Sequence, residues 1–283
     1  MESLKDRVVI VTGASRGIGK AVALKLAAQG ARVVVAAKTT HPNPRLPGTI
    51  GETIEEIQAA GGQGKAIKCN VRHGRELESL VQETLDTYGR IDGLVNNAGA
   101  IWVEPIENTP EKRFDLVMEV NFKAPYLLSR LVAPHMEKNG WGHIINMSPP
   151  VELDVIGGKI AYICSKFNMT MLSLGLSQEL KGKNIAANSL WPRTLVESLA
   201  TINWGMGKPG DWRKADIMAD AAVTIFQQKP SEYTGQALID EDVLRERAGV
   251  TDFSIYNVVP DGEPRTLDWK TLEGVIVEMR NQG

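Results

Sequence analysis

The chain has 283 residues, 43% of them hydrophobic and 23% charged, which is enough to bury one sizeable core. Its 32 basic and 34 acidic side chains leave a net charge of −2, so there is no electrostatic reason to expect a nucleic-acid partner. Two separated cysteines, Cys69 and Cys164, argue against a disulfide framework or a cysteine-based zinc site and read as reduced thiols. The charged segment 1–7 does not resemble a signal peptide, and no apolar run is long enough to span a bilayer. A cytoplasmic protein is expected.

Residues 7–11 form a β-branched apolar run and predict a strand. It leads into Thr12-Gly13-Ala14-Ser15-Arg16-Gly17-Ile18-Gly19, after which 18–29 has helical apolar spacing. Glycines let such a turn approach a pyrophosphate closely, and the free N–H groups and dipole of the following helix stabilise its charge. A plain strand-to-helix connection is the competing explanation for this turn taken alone. The second strand, 32–36, is followed by Ala37-Lys38-Thr39. An acid there would bind a ribose 2′-hydroxyl. Lys38 and Arg16 instead suit a 2′-phosphate, which favours NADP(H) over NAD(H), although a lysine at this point can simply be solvated.

Residues 39–47 carry three prolines and read as a long loop. Helical stretches follow at 51–60, 75–88, 111–138, 161–181 and 214–227. Between them lie apolar runs at 65–69, 91–95, 143–147, 185–190 and 237–239. Strand–helix alternation with short links implies parallel βαβ units, and continuous apolar strands imply a sheet covered on both faces. The expected fold is α/β: a single doubly wound Rossmann-type domain with a seven-stranded parallel sheet. Residues 1–240 form that domain. Residues 241–283 read as a C-terminal extension with little core of its own. His41, His73, His135 and His143 have no ligand spacing, so no metal is expected.

Several motifs recur in a fixed order. The glycine turn is followed by Asn96-Asn97-Ala98-Gly99, Asn121, Ser148, Tyr162-Ile163-Cys164-Ser165-Lys166 and Asn188-Ser189-Leu190-Trp191-Pro192. In this order and at these intervals the chain resembles the short-chain dehydrogenase/reductase family over about 5–240. Further segments, among them Asn146-Met147-Ser148-Pro149-Pro150 and Ile239-Asp240-Glu241-Asp242, resemble its hydroxysteroid dehydrogenase-like subgroup.

The resemblance implies an oxidoreductase that moves a hydride between NADP(H) and a carbonyl/alcohol pair. Tyr162 and Lys166, one helical turn apart, share a face. A nearby ammonium favours a phenolate, which fits Tyr162 as general acid/base. By resemblance Lys166 also binds the nicotinamide ribose, Ser148 polarises the carbonyl, and Asn121 supports a proton path to the lysine. Gly13, Ser15, Arg16, Gly17, Ile18 and Gly19 would hold the phosphates, with Lys38 at the ribose. Asn70 and Val71 would meet the adenine, and Asn97, Ala98 and Gly99 the adenosine ribose. Pro192 and Thr194 would lie near the nicotinamide.

Two departures stand out. Ser148 lies 14 residues before Tyr162, one more than the family's usual interval, and is followed by Pro149-Pro150. The glycine that usually follows the proline after the sixth strand is Arg193. Trp102, 151–156, Trp191 and 195–204 are the expected pocket lining, mainly apolar, which suits a hydrophobic ketone, aldehyde or alcohol. Two alternatives remain: a cofactor-binding regulator with reduced catalysis, and a 3-oxoacyl thioester reductase using Arg193, Lys208 and Arg213 at the mouth. The helices at 111–138 and 161–181 match those through which the family often assembles, which implies a homodimer or homotetramer.

Overall fold

Seven parallel strands form one sheet in the order β3-β2-β1-β4-β5-β6-β7. They are β1 (Val8–Thr12), β2 (Arg32–Ala37), β3 (Gln63–Lys68), β4 (Gly93–Asn96), β5 (Gly142–Asn146), β6 (Ile185–Trp191) and β7 (Ala237–Ile239). A computed structural model describes residues 1–43, 46–152 and 156–267. The expected loop 39–47 and extension 241–283 therefore lie partly outside the described residues.

Alternation within the strands explains the two covered faces. In β1, Val9 and Val11 join one apolar cluster while Ile10 joins the other. Val33 and Val35 of β2 split from Val34 and Ala36 in the same way. Side chains in a strand alternate sides, so one buried run feeds two cores. On the first face lie α1 (Gly17–Ala28), through Val22 and Leu26, and α8 (Asp216–Phe226), through Ile217 and Phe226. The second face is covered by α3 (Gly74–Tyr88), through Leu77 and Leu80, and α5 (Ala124–Asn139), through Leu128 and Val132. Strand order reverses between β1 and β4, and in doubly wound sheets the crevice beyond the strand ends at that point takes ligands.

One expectation is corrected. The helix expected over 111–138 is α4 (Glu111–Met118) and α5, separated by a π-helical turn at Glu119–Lys123. Apolar periodicity cannot register one extra residue in a turn, and here that turn carries Asn121. The described part of the expected extension, 241–267, packs onto the main core. Helix α9 (Asp240–Ala248) buries Val243 and Leu244, and Phe253 and Tyr256 follow, all within the first-face core. The remaining helices are α2 (Ile50–Ala59), α6 (Ile160–Glu179) and the short α7 (Leu199–Asn203).

Candidate active site

A cleft of about 600 Å³ opens along the carboxyl ends of the strands. Its floor runs from Gly13 after β1, through Lys38 and Asn70 after β2 and β3, to Asn97, Met147 and Trp191 at β4, β5 and β6. The volume is in the range of small-molecule and cofactor sites.

The glycine turn is shaped by close approach. A Cβ on Gly13 would lie 2.8 Å from Ala98 Cα, and one on Gly19 would strike the Asn97 amide and the Gly13 carbonyl. Helix α1 starts at Gly17 with no side-chain cap and no acid in its first turn, so its leading N–H groups are left for an anion. Thr12 stitches the two nucleotide loops together. Its hydroxyl accepts from Asn97 N (3.1 Å) and Ala98 N (3.0 Å), while Asn97 Nδ2 donates to Thr12 O at 2.9 Å. Thr12 is not among the sequence-derived site residues, though its position at the end of a strand just before the glycines was the available signal.

Among the described residues, the cations lining the cleft are Arg16, Lys38, Arg72 and Lys166. Arg72 Nε pairs with Glu119 at 2.7 Å. Arg16 departs from expectation. Its Nε donates to Pro47 O at 2.8 Å, and its Nη2 donates to Gly48 O (2.8 Å) and Leu46 O (3.2 Å). The guanidinium thus fastens the proline-rich loop to the glycine turn, and burial lowers its pKa. Lys38 lines the cleft at the end of β2, is exposed, and among the described residues its ammonium makes no such bond.

At the other end, Tyr162 and Lys166 both line the cleft from α6. Lys166 Nζ donates to Met147 O at 2.8 Å and lies 5.6 Å from the centre of the Trp191 ring. The expected electrostatics are reversed here. Burial pushes the Tyr162 phenol above its ordinary value and holds Lys166 down at about 8, because desolvation disfavours each charged form. Burial and the nearby Glu76 push the thiol of Cys69, also at the cleft, up to about 12, which disfavours its thiolate.

Asn121 lies just under the cleft, fully buried. Its Nδ2 donates to Ala100 O (2.9 Å) and Ser165 Oγ (2.9 Å), and its Oδ1 accepts from Ala100 N at 2.8 Å. Ser165 in turn donates to Tyr162 O at 2.7 Å. The π turn therefore ties the 97–100 loop to the first turn of α6 and fixes where Tyr162 stands. Ser165 sits in the recognised motif, but its bridging role was not legible there.

Ser148 is not brought into the cleft. It has no exposed surface, and its Oγ is hydrogen-bonded to Thr170 Oγ1 at 3.0 Å. Thr194 is also buried away from the cleft, whereas Pro192 and the other expected nucleotide residues line it. Trp102 faces Arg113, whose guanidinium lies 4.5 Å from its ring, rather than the cleft. Residues 153–155 of the expected lining lie outside the described residues. Of the expected lining, Trp191, Leu195, Val196 and 198–201 do line the cleft, and Ile101, Val103, Met206 and Leu267 complete the apolar wall of its substrate end.

The short chain dehydrogenase family model matches residues 7–201. The chain belongs to that family. It is 44% identical over 274 residues to the hydroxysteroid dehydrogenase-like protein 2 of Danio rerio, covering 92% of this chain and 65% of that protein. To its Bos taurus counterpart it is 46% identical over 266 residues, covering 92% and 62%. The chain thus spans a little under two thirds of these relatives. Among solved structures, a Mycobacterium thermoresistibile short chain dehydrogenase matches at 40% identity and TM-score 0.87, covering 93% of this chain and 95% of that one. A metagenomic short-chain oxidoreductase in complex with NADP matches at 31% identity and TM-score 0.72, covering 84% and 98%. Among the described residues no helix is long and apolar enough to cross a membrane.

Proposed function

We propose that this member of the short-chain dehydrogenase family transfers a hydride between NADP(H) and a hydrophobic ketone, aldehyde or alcohol. The observation that carries the reading is a single cleft joining the glycine turn and Lys38 at one end to Tyr162 and Lys166 at the other. The fit to a dinucleotide rests on glycines whose Cβ atoms would fill the cradle, and on the uncapped start of α1. The solved relative that holds NADP supports the choice of cofactor class, and Lys38 supports the 2′-phosphate.

A bound nicotinamide supplies or accepts the hydride at the carbonyl carbon. Tyr162 donates its proton to the substrate oxygen in reduction and takes it back in oxidation. Lys166, poised near 8 and lining the same cleft one helical turn from Tyr162, recovers its proton from the Asn121 side of the site. The apolar wall excludes water from the reacting carbon. Ser148 is assigned a structural role, so Tyr162 is the hydroxyl that meets the carbonyl. Helices α4 to α6 are the proposed contact in a homodimer or homotetramer, and they expose Phe114, Tyr126 and Met171. The thioester reading loses two of its three cations. Arg193 pairs with Asp242 (2.5 Å), and Arg213 with Glu241 (2.5 Å).

Purified protein screened against ketones, aldehydes and alcohols with both dinucleotides tests the proposal. Tyr162→Phe should lower kcat by about 10²–10⁴-fold while the dinucleotide still binds. Equal turnover in that variant refutes the assignment. A protein that binds NADPH yet turns over nothing is the regulator of the alternative reading.

A further inference from the structure

Arg193 stands at a junction. Its N–H donates to Asp240 Oδ1 at 2.8 Å, and its Nη2 reaches Asp242 Oδ2 at 2.5 Å, so two side chains of α9 hold one residue. Asp240 Oδ1 also accepts from Glu241 N at 2.7 Å, which fixes the carboxylate at the start of that helix. On its other side, Arg193 O accepts from Leu267 N at 2.7 Å. Leu195 N donates to Arg265 O at 2.8 Å, and Thr194 pairs antiparallel with Thr266. Segment 265–267 is therefore laid as a short ribbon on 193–195, the segment that leaves the cleft floor at Pro192.

The ribbon carries Leu267 to the cleft wall. Leu267 packs against the cluster holding Val103, Tyr162 and Phe167. It also packs against the cluster of Leu195, Met206 and Trp212 on the loop between β6 and α8. It is shared by both apolar clusters of the substrate end, one of which contains the proposed proton donor. A side chain in that position takes up space beside Tyr162 that a substrate would otherwise use.

We propose that Leu267, held in place through Arg193, sets the size limit of the substrate pocket. The inference rests on the hydride-transfer reading for the kind of molecule that enters. Hydrophobic pockets discriminate by about 10- to 200-fold for a single methylene, so removing most of one leucine side chain is enough to shift the preference. The arginine in place of the family's glycine couples that wall to α9 through its guanidinium, which glycine lacks.

The test is a homologous series of straight-chain methyl ketones, with kcat/KM measured on the full chain and NADPH. Leu267→Ala should raise the ratio of long-chain to short-chain kcat/KM by about tenfold, and Leu267→Trp should lower it. Arg193→Gly should shift the ratio in the Leu267→Ala direction and speed amide exchange at Leu195 and Leu267. Should that variant fail to fold, Asp242→Ala removes the partner of the Arg193 guanidinium, which also pairs with Arg245, and keeps the backbone bonds of Arg193. Calorimetric binding of the same ketones to NADPH-loaded Tyr162→Phe, with and without Leu267→Ala, reads the pocket without turnover. An unchanged order of ketones in both rate and affinity overturns the proposal. A shifted order of affinity with no turnover in the wild type upholds it and overturns the hydride-transfer reading instead.

Discussion

The hydroxyl of Ser148 is the site group whose place the chain's chemistry does not announce. Serine at this point of the motif order looks like a carbonyl ligand, but its Oγ is spent on Thr170, and Thr170 Oγ1 lies 2.5 Å from Pro149 O. The pair closes a buried polar patch behind the cleft rather than facing a substrate. Ser148→Ala is therefore expected to fall far short of the about 10²–10³-fold loss of kcat that follows removal of an oxyanion donor. A loss of that size, in a variant with unchanged melting temperature, would return the hydroxyl to the reaction. Tyr162 and Lys166 were legible as a pair because one helical turn puts them on one face. Their protonation was not legible, since desolvation depends on everything packed around them and raises one pKa while lowering the other.

At the scale of elements, the loop after β2 decides how the cofactor end is built. Thr49 caps α2 with Glu52 in a reciprocal pair, Thr49 N donating to Glu52 Oε2 at 2.9 Å and Glu52 N to Thr49 Oγ1 at 3.1 Å. Gly48 has a φ of +96°, and a Cβ there would strike the Ser15 carbonyl, so the loop lies directly on the glycine turn. Arg16 staples that contact. Arg16→Met should weaken NADPH and NADH alike, because the loop and turn lose their common anchor. Lys38→Ala should weaken NADPH by about tenfold with little effect on NADH, as expected for one charge-assisted contact. Fluorescence titration of both dinucleotides separates the two, and equal losses in Lys38→Ala would sink the 2′-phosphate assignment. Sequence spacing showed that two cations were near this point; it could not show that one of them answers to three loop carbonyls.

Across the whole molecule, the sheet is tied to its flanking layer at a buried histidine in β5. His143 has no exposed surface, stacks edge-on to Trp141 at 4.8 Å and lies 5.5 Å from the Phe226 ring of α8. Burial lowers its pKa from 6.5 to about 3, partly offset by the bond of Nε2 to Gln228 O. Between those values the unfolded chain binds a proton that the folded chain refuses, so stability falls as pH drops through this window. The slope is at most about 1.4 kcal/mol per pH unit. Denaturant midpoints at about pH 7 and about pH 5 should therefore separate more in the wild type than in His143→Leu, and equal separations would refute the linkage. The sequence by itself determined the α/β class, the strands and the order of the nucleotide and proton-transfer motifs, because periodicity and glycine chemistry are local. Only the tertiary structure decided that Ser148 turns inward, that Arg16 binds its own loop, that a π turn carries Asn121, and that Leu267 reaches the pocket. Those outcomes depend on which distant backbone groups come within hydrogen-bonding reach, and on a one-residue insertion whose direction no local pattern records.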